Sequence, residues 1–193
     1  MIDSIGGQQA HEIAFTSMAL FPESGGTRLS RIRALDGPYP FYGWFTTEPE
    51  AAADTFQQGP YAVVDDNLMT QYGVQVGDSV RIGRRSYLIA GRLKGSSTEN
   101  AAVSSLAPRI FIPRNNLDRS LLARGSQAEY RVYFKFDEPR NIDQLAEQIR
   151  EKTTGEDVDI DTVEETQERW TDALNNLNGF LNLVAFIALL LGG

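Results

Sequence analysis

The stretch YAVVDDNLMTQYGVQVGDSVRIGRRSYLIAGRL, residues 61–93, carries the densest structural punctuation in the chain. Tyr61-Ala62-Val63-Val64 is a short apolar run, which predicts a strand. Helix-forming residues follow from Asp65 to about Tyr72, and Gly73 supplies the left-handed residue on which a helix ends. Val76-Gly77-Asp78-Ser79 turns into Val80-Arg81-Ile82. Gly83-Arg84-Arg85 then turns into Tyr87-Leu88-Ile89-Ala90-Gly91-Arg92-Leu93, so the two segments predict a hairpin. Strand, helix and hairpin within so few residues set the class as α+β.

Working outward, residues 2–10 read as a weak helix. His11 to Phe21 and Arg28 to Leu35 read as strands joined by Pro22-Glu23-Ser24-Gly25-Gly26. Residues 38–45 are too rich in proline for a central strand and predict an aromatic loop. Glu50 to Phe56 predicts a helix entered through Pro49. Downstream, Gly95 to Leu106 is small and polar and predicts a surface loop. Arg109 to Ile112 predicts a strand stopped by Pro113, and Asn116 to Ala123 a short helix. Tyr130 to Phe136 alternates as a strand. Asn141 caps a helix, with Gln144 three residues on, and Val158 to Asp161 predicts a strand after it. These last three make a β-α-β unit of the ferredoxin-like kind. The expected division is a two-lobed domain: an α/β lobe from 1–56 with 126–162, a β-rich insert over 57–125, and a stalk helix over 163–193.

That stalk carries its own signals. Thr162-Val163-Glu164-Glu165 is a capping box. Trp170, Leu174, Leu177, Leu181 and Val184 recur at helical spacing along one face. From Phe180 to Leu191 the run is apolar apart from Asn182, with no polar stripe, as in helices that enter lipid. A helix from Val163 to Leu191 would be about 43 Å long, against a hydrocarbon core of about 30 Å. The expectation is a rod standing outside the bilayer that continues into the start of a transmembrane helix at its carboxyl end. The first residues lack a secretory signal, so an extracytoplasmic location requires a membrane segment upstream.

Composition removes several function classes. The net charge of −8, from 26 acidic and 18 basic residues, repels phosphate backbones, and no nucleic-acid partner is expected. Without cysteine there is no disulfide framework, thiolate zinc site or thiol nucleophile. Gly77-Asp78-Ser79 imitates a lipase nucleophile block, but His11 is the one histidine and no Asp-x-x-His follows, so a turn is the better reading. Asp157, Asp159, Asp161, Glu165 and Glu168 have calcium-loop spacing, yet Thr162 stands where the sharp turn needs glycine. No phosphate-binding loop exists, Gly91 to Ser96 having the wrong spacing. No cofactor, metal or catalytic residue is expected. Arg81, Arg84, Arg85, Arg92 and Lys94 form a basic patch, read as a charged edge or as a contact for lipid headgroups or an acidic partner.

Asp66 to Gly83, with a helix ending before Val76-Gly77-Asp78 and a strand closing on Gly91, resembles the extracytoplasmic region of MacB/FtsX-type ABC-transporter permeases. Arg109-Ile110-Phe111-Ile112-Pro113 is similar to a second segment of that family, and Tyr39-Pro40-Phe41-Tyr42-Gly43 to a third. Asn178 to Gly193 resembles the start of its second membrane helix. The family's lobe opens with a strand that this chain is expected to lack. The resemblance implies a non-enzymatic periplasmic domain in the bacterial inner membrane system. Its implied partners are a separate ATP-binding-cassette ATPase subunit, a second permease copy, and membrane lipid at the carboxyl-terminal helix. Long stalk helices, here Val163 to Leu191, would relay ATP-driven motion to extracytoplasmic substrates or partners. The competing reading is a ligand-sensing domain of a membrane receptor, which would also end in a transmembrane helix.

Overall fold

A computed structural model of the chain describes residues 5–96, 108–122, 127–137, 141–153 and 158–162. The predicted stalk residues Trp170, Leu174, Leu177, Leu181, Val184 and Leu191 lie outside the described residues, as do Asp157, Glu165 and Glu168 of the acidic series. No helix among the described residues is long and apolar enough to cross a membrane. The chain divides into two compact units, Met1–Asp137 and Glu138–Gly193.

The first unit is built on one mixed sheet. Its strands are β1 (Gln8–Phe21), β2 (Gly26–Asp36), β3 (Phe45–Glu48), β4 (Tyr61–Asp65), β5 (Ser79–Ile82), β6 (Arg85–Ser96), β7 (Arg109–Pro113) and β8 (Ala128–Lys135). The pairing runs β2-β7-β4-β6-β5-β1-β8, and β1 also pairs along β2. The path therefore closes on itself: β1, β2, β7, β4, β6 and β5 form a six-strand ring, with β8 added to β1 and β3 to β6. Closure between β1 and β5 rests on Ala19↔Ile82 and Leu20↔Arg81.

Alternation explains which face is inside. Ile13, Phe15 and Phe21 of β1, Ile32 of β2, Val64 of β4, Val80 and Ile82 of β5, Ile89 of β6 and Ile110 and Ile112 of β7 belong to one buried cluster. Every ring strand contributes to it, so this cluster is the ring's interior. Helix α2 (Asp66–Tyr72) adds Leu68 and Met69. Asp65 accepts a hydrogen bond from the Asn67 amide at its start, and Gly73 ends it at φ 64°. The opposite face is covered in part by a second cluster of Leu35, Ala52, Phe56, Val63, Leu93 and Phe111, with Tyr39 and Phe45 packed against it. Ala52 lies in helix α1 (Ala52–Thr55), and a 3-10 turn over Phe56–Gln58 follows.

In the second unit the described helix is α3 (Ile142–Lys152), and the Asn141 side chain accepts from the Gln144 amide as its cap. The whole is a mixed α+β structure with a large sheet and few helices.

Several local expectations are corrected. Residues 8–10 are strand, not helix, because β1 pairs from Gln8 onward with Lys135 of β8. Phe45 to Glu48 leaves the aromatic loop to pair with β6. Gly95 and Ser96 end β6 instead of opening a loop, held by Thr46 and Phe45. In place of a helix over Asn116–Ala123 there are two 3-10 turns, Arg114–Asn116 and Arg119–Leu122. Asp118 parts them, its carboxylate accepting from the Ser120 amide and hydroxyl. Val158 to Asp161 forms no strand, and no strand lies beside it among the described residues. The second strand of the expected β-α-β unit is thus not formed there.

Candidate functional site

The outer face of the sheet holds the most deeply buried charges among the described residues. Arg33 of β2 and Glu12 of β1 have fully buried side chains and pair bidentately, Nε to Oε1 at 2.5 Å and Nη2 to Oε2 at 2.7 Å. Tyr133 of β8 donates to Glu12 Oε2 at 2.6 Å. The Arg33 guanidinium lies over the rings of Phe111 and Tyr39, 5.0 and 5.6 Å from their centroids. Burial pushes the Glu12 carboxyl up, but the bonds and charge of Arg33, with the Tyr133 hydroxyl, outweigh it and hold the group below the usual carboxylate range. Burial, reinforced by the Glu12 charge, pushes the Tyr133 hydroxyl well up. Nothing in this constellation is poised to exchange a proton near neutral pH. It is a lock joining three strands.

A second bridge runs beside it. Arg31 of β2 reaches Glu129 of β8 at 2.8 Å, and Glu129 also pairs with Arg131 at 2.7 Å. Ala14 of β1 stands between Arg33 and Glu129 in register. So small a side chain leaves room for a guanidinium to cross the middle strand.

The predicted basic patch is largely neutralised. Arg84 pairs with Asp118 at 3.0 Å, and Arg92 and Lys94 pair with Asp66 at 2.6 and 2.9 Å. The bonds of Arg84 and then Ser120 hold the Asp118 carboxyl far below its ordinary range. Arg81 and Arg85 are exposed and make no ion pair among the described residues. Ser79, the candidate nucleophile, donates its hydroxyl to Glu23 of the β1–β2 turn at 2.9 Å, and its amide donates to the same oxygen at 3.0 Å. His11 sits in the first half of β1 opposite Asp36. About 30 Å of strand separates it from that turn. Gly77 adopts φ 100° and Asp78 accepts from the Gln75 amide at 2.7 Å, which is the turn reading.

The aromatic loop divides by role. Tyr39 packs edge-on against Phe45 and Tyr133, whereas Tyr42 and Trp44 are about half exposed, at 51% and 54%. No group of three or more His, Asp and Glu side chains fit to hold a metal occurs among the described residues.

Two features escaped the sequence reading. One is the Glu12–Arg33 pair, whose signal was an acid and a base inside two apolar strands. The other is the distal half of the β1–β2 hairpin, where Met18 and Leu29 face each other across the strands, 51% and 55% exposed. They line an open depression of about 460 Å³ with Thr16, Thr27, Arg28 and Tyr72. Exposed apolar partners at registered positions were invisible while the pairing was unknown.

A family model, the MacB-like periplasmic core domain, matches residues 12–152. No curated protein matches the chain. Among solved structures, the chain is similar to the periplasmic region of MacB from Actinobacillus actinomycetemcomitans. They are 12% identical with a TM-score of 0.49, over 83% of this chain and 75% of that one. It is also similar to the extracellular domain of the noncanonic ABC-type transporter YknZ from Gram-positive bacteria, at 11% identity and a TM-score of 0.51. That match covers 76% of each chain. The likeness to the YknZ domain is one of fold.

Proposed function

The chain belongs to the family of MacB-like periplasmic core domains, and from this premise we propose that it is the extracytoplasmic domain of an ABC-transporter permease subunit that relays motion rather than catalysing a reaction. The observation that carries the reading is the extent of the family match, residues 12–152, which runs from within β1 through every later described strand to the end of α3. In this reading a separate ATPase subunit on the cytoplasmic side drives a pair of permease copies. A stalk helix over 163–191, with Trp170, Leu174, Leu177, Leu181, Val184 and Leu191 on its apolar surface, carries the movement outward and meets lipid at its end. The division into a discontinuous α/β lobe and a β-rich insert over 57–125 belongs to the same proposal.

The locked strands support a relay: a lever is useful only if its load does not deform. The Glu12–Arg33–Tyr133 bridge ties β2, β1 and β8 into one block. The test is a spin label at Arg81→Cys in the full-length permease, assembled with its ATPase in nanodiscs. The inter-copy distance distribution is expected to shift between the nucleotide-free and ATP-trapped states. An identical distribution in both, or no inter-copy distance at all, overturns the relay.

A further inference from the structure

Strand β2 is paired with β1 along its whole length, but among the described residues half of its other side has no neighbouring strand. Along its side away from β1 it pairs with β7, from Arg31↔Arg109 to Leu35↔Pro113. No strand lies beside Thr27–Ser30 on that side among the described residues. The Arg31 amide donates outward to the Pro108 carbonyl at 2.9 Å, and backbone groups alternate sides along a strand. The amides and carbonyls of Leu29 and Thr27 therefore point the same way, off the edge of the sheet. The Thr27 carbonyl is met there by the Tyr72 hydroxyl at 2.8 Å. Nothing equivalent meets Leu29 among the described residues.

This edge adjoins the depression that Met18, Leu29, Thr16, Thr27, Arg28 and Tyr72 line. Three properties coincide. An unpaired donor and acceptor suit an extended backbone, because sheet edges template another strand. The exposed Met18–Leu29 pair offers apolar anchorage. Arg28 lines the depression and makes no ion pair among the described residues. In a chain of net charge −8 such local cationic character selects an acidic occupant.

We infer that the distal half of the β1–β2 hairpin is a docking surface for an extended segment of a partner protein bearing alternating apolar and acidic side chains. The segment adds to the edge at Leu29, lays an apolar residue on Met18 and Leu29, and pairs a carboxylate with Arg28. The surface uses none of the Glu12, Arg33 and Tyr133 side chains of the buried lock, so the inference stands whether or not the relay does.

The experiment uses the full-length permease in nanodiscs and two fluorescent peptides, one alternating valine with glutamate and one alternating valine with lysine. Fluorescence anisotropy is expected to show saturable binding of the glutamate peptide and at least about tenfold weaker binding of the lysine peptide. Arg28→Glu should reverse that preference. Leu29→Pro removes both the outward amide and the Leu29 side chain and should weaken binding by about tenfold, as Pro is tolerated where an edge amide is unpaired. Hydrogen exchange at Leu29 should be fast without peptide and slowed with it, in the parent protein as well as in Met18→Ser, whose affinity should fall. Equal affinity for both peptides, no saturable binding, or a Leu29 amide already protected in the free protein would overturn the inference.

Discussion

Glu12 and Arg33 occupy positions where an apolar pair would have cost less to bury, and the structure shows what their charges do instead. Each oxygen of Glu12 is bonded, and the guanidinium lies against Phe111 and Tyr39. A buried pair is costly to break by halves, since the survivor is left as an uncompensated charge. Glu12→Leu or Arg33→Met should each lower stability by about 3 kcal/mol or more, while the two together should lose less than the sum. Urea titration of the four proteins checks this.

Glu12, together with Asp118, sets a pH dependence. Glu12 and Asp118 are both held below their ordinary range in the folded state. The unfolded chain therefore binds their protons more readily. Their contribution is fully present above the ordinary carboxylate range, about pH 4, and is lost as pH falls below it. The urea midpoint should drop between pH 6 and pH 3, and Glu12→Gln, already weaker at pH 6, should drop less. A variant with the parent's full pH dependence would remove Glu12 from the account. Sequence alone gave each charge a place in a strand, but whether Glu12 met Arg33 or water depended on register.

At the scale of elements, legibility follows how local the signal is. Helix α2 ends at Gly73 as read, and Asp65, read as its first residue, is its acid cap, both signals lying within nine residues. The β5–β6 hairpin is likewise set by Gly83 and its neighbours. By contrast β3, the 3-10 turns around Asp118 and the start of β1 are decided by distant partners: β6, Arg84 and β8. Propensity does not carry that information. Two glycines separate the conformational from the steric case. At Gly73, φ is 64° and a Cβ would meet nothing within 4 Å, so Gly73→Ala should cost only the left-handed penalty, about 1 kcal/mol. At Gly91 a Cβ would stand 2.4 Å from the Ala52 Cβ. Gly91→Val should push α1 off the sheet and cost about 2 kcal/mol or more. Thermal unfolding of the two variants distinguishes these costs.

For the whole molecule, the ring closure is the property least visible in the chain. It joins β2 to β7, and β1 to β5, across 60 or more residues of sequence, and nothing near either strand marks its partner. The motifs from Asp66 to Gly83 and from Arg109 to Pro113 nevertheless pointed to the family, because they fall at the hairpin and strand that line the ring. The rest of the functional reading depends on where this domain stands relative to a membrane. The absence of cysteine from these residues makes that measurable. Arg81→Cys, in full-length protein with any other cysteines replaced, should react with a membrane-impermeant maleimide in cells whose inner membrane is intact. Reaction confined to cells with a lysed inner membrane would place the domain in the cytoplasm and contradict the account.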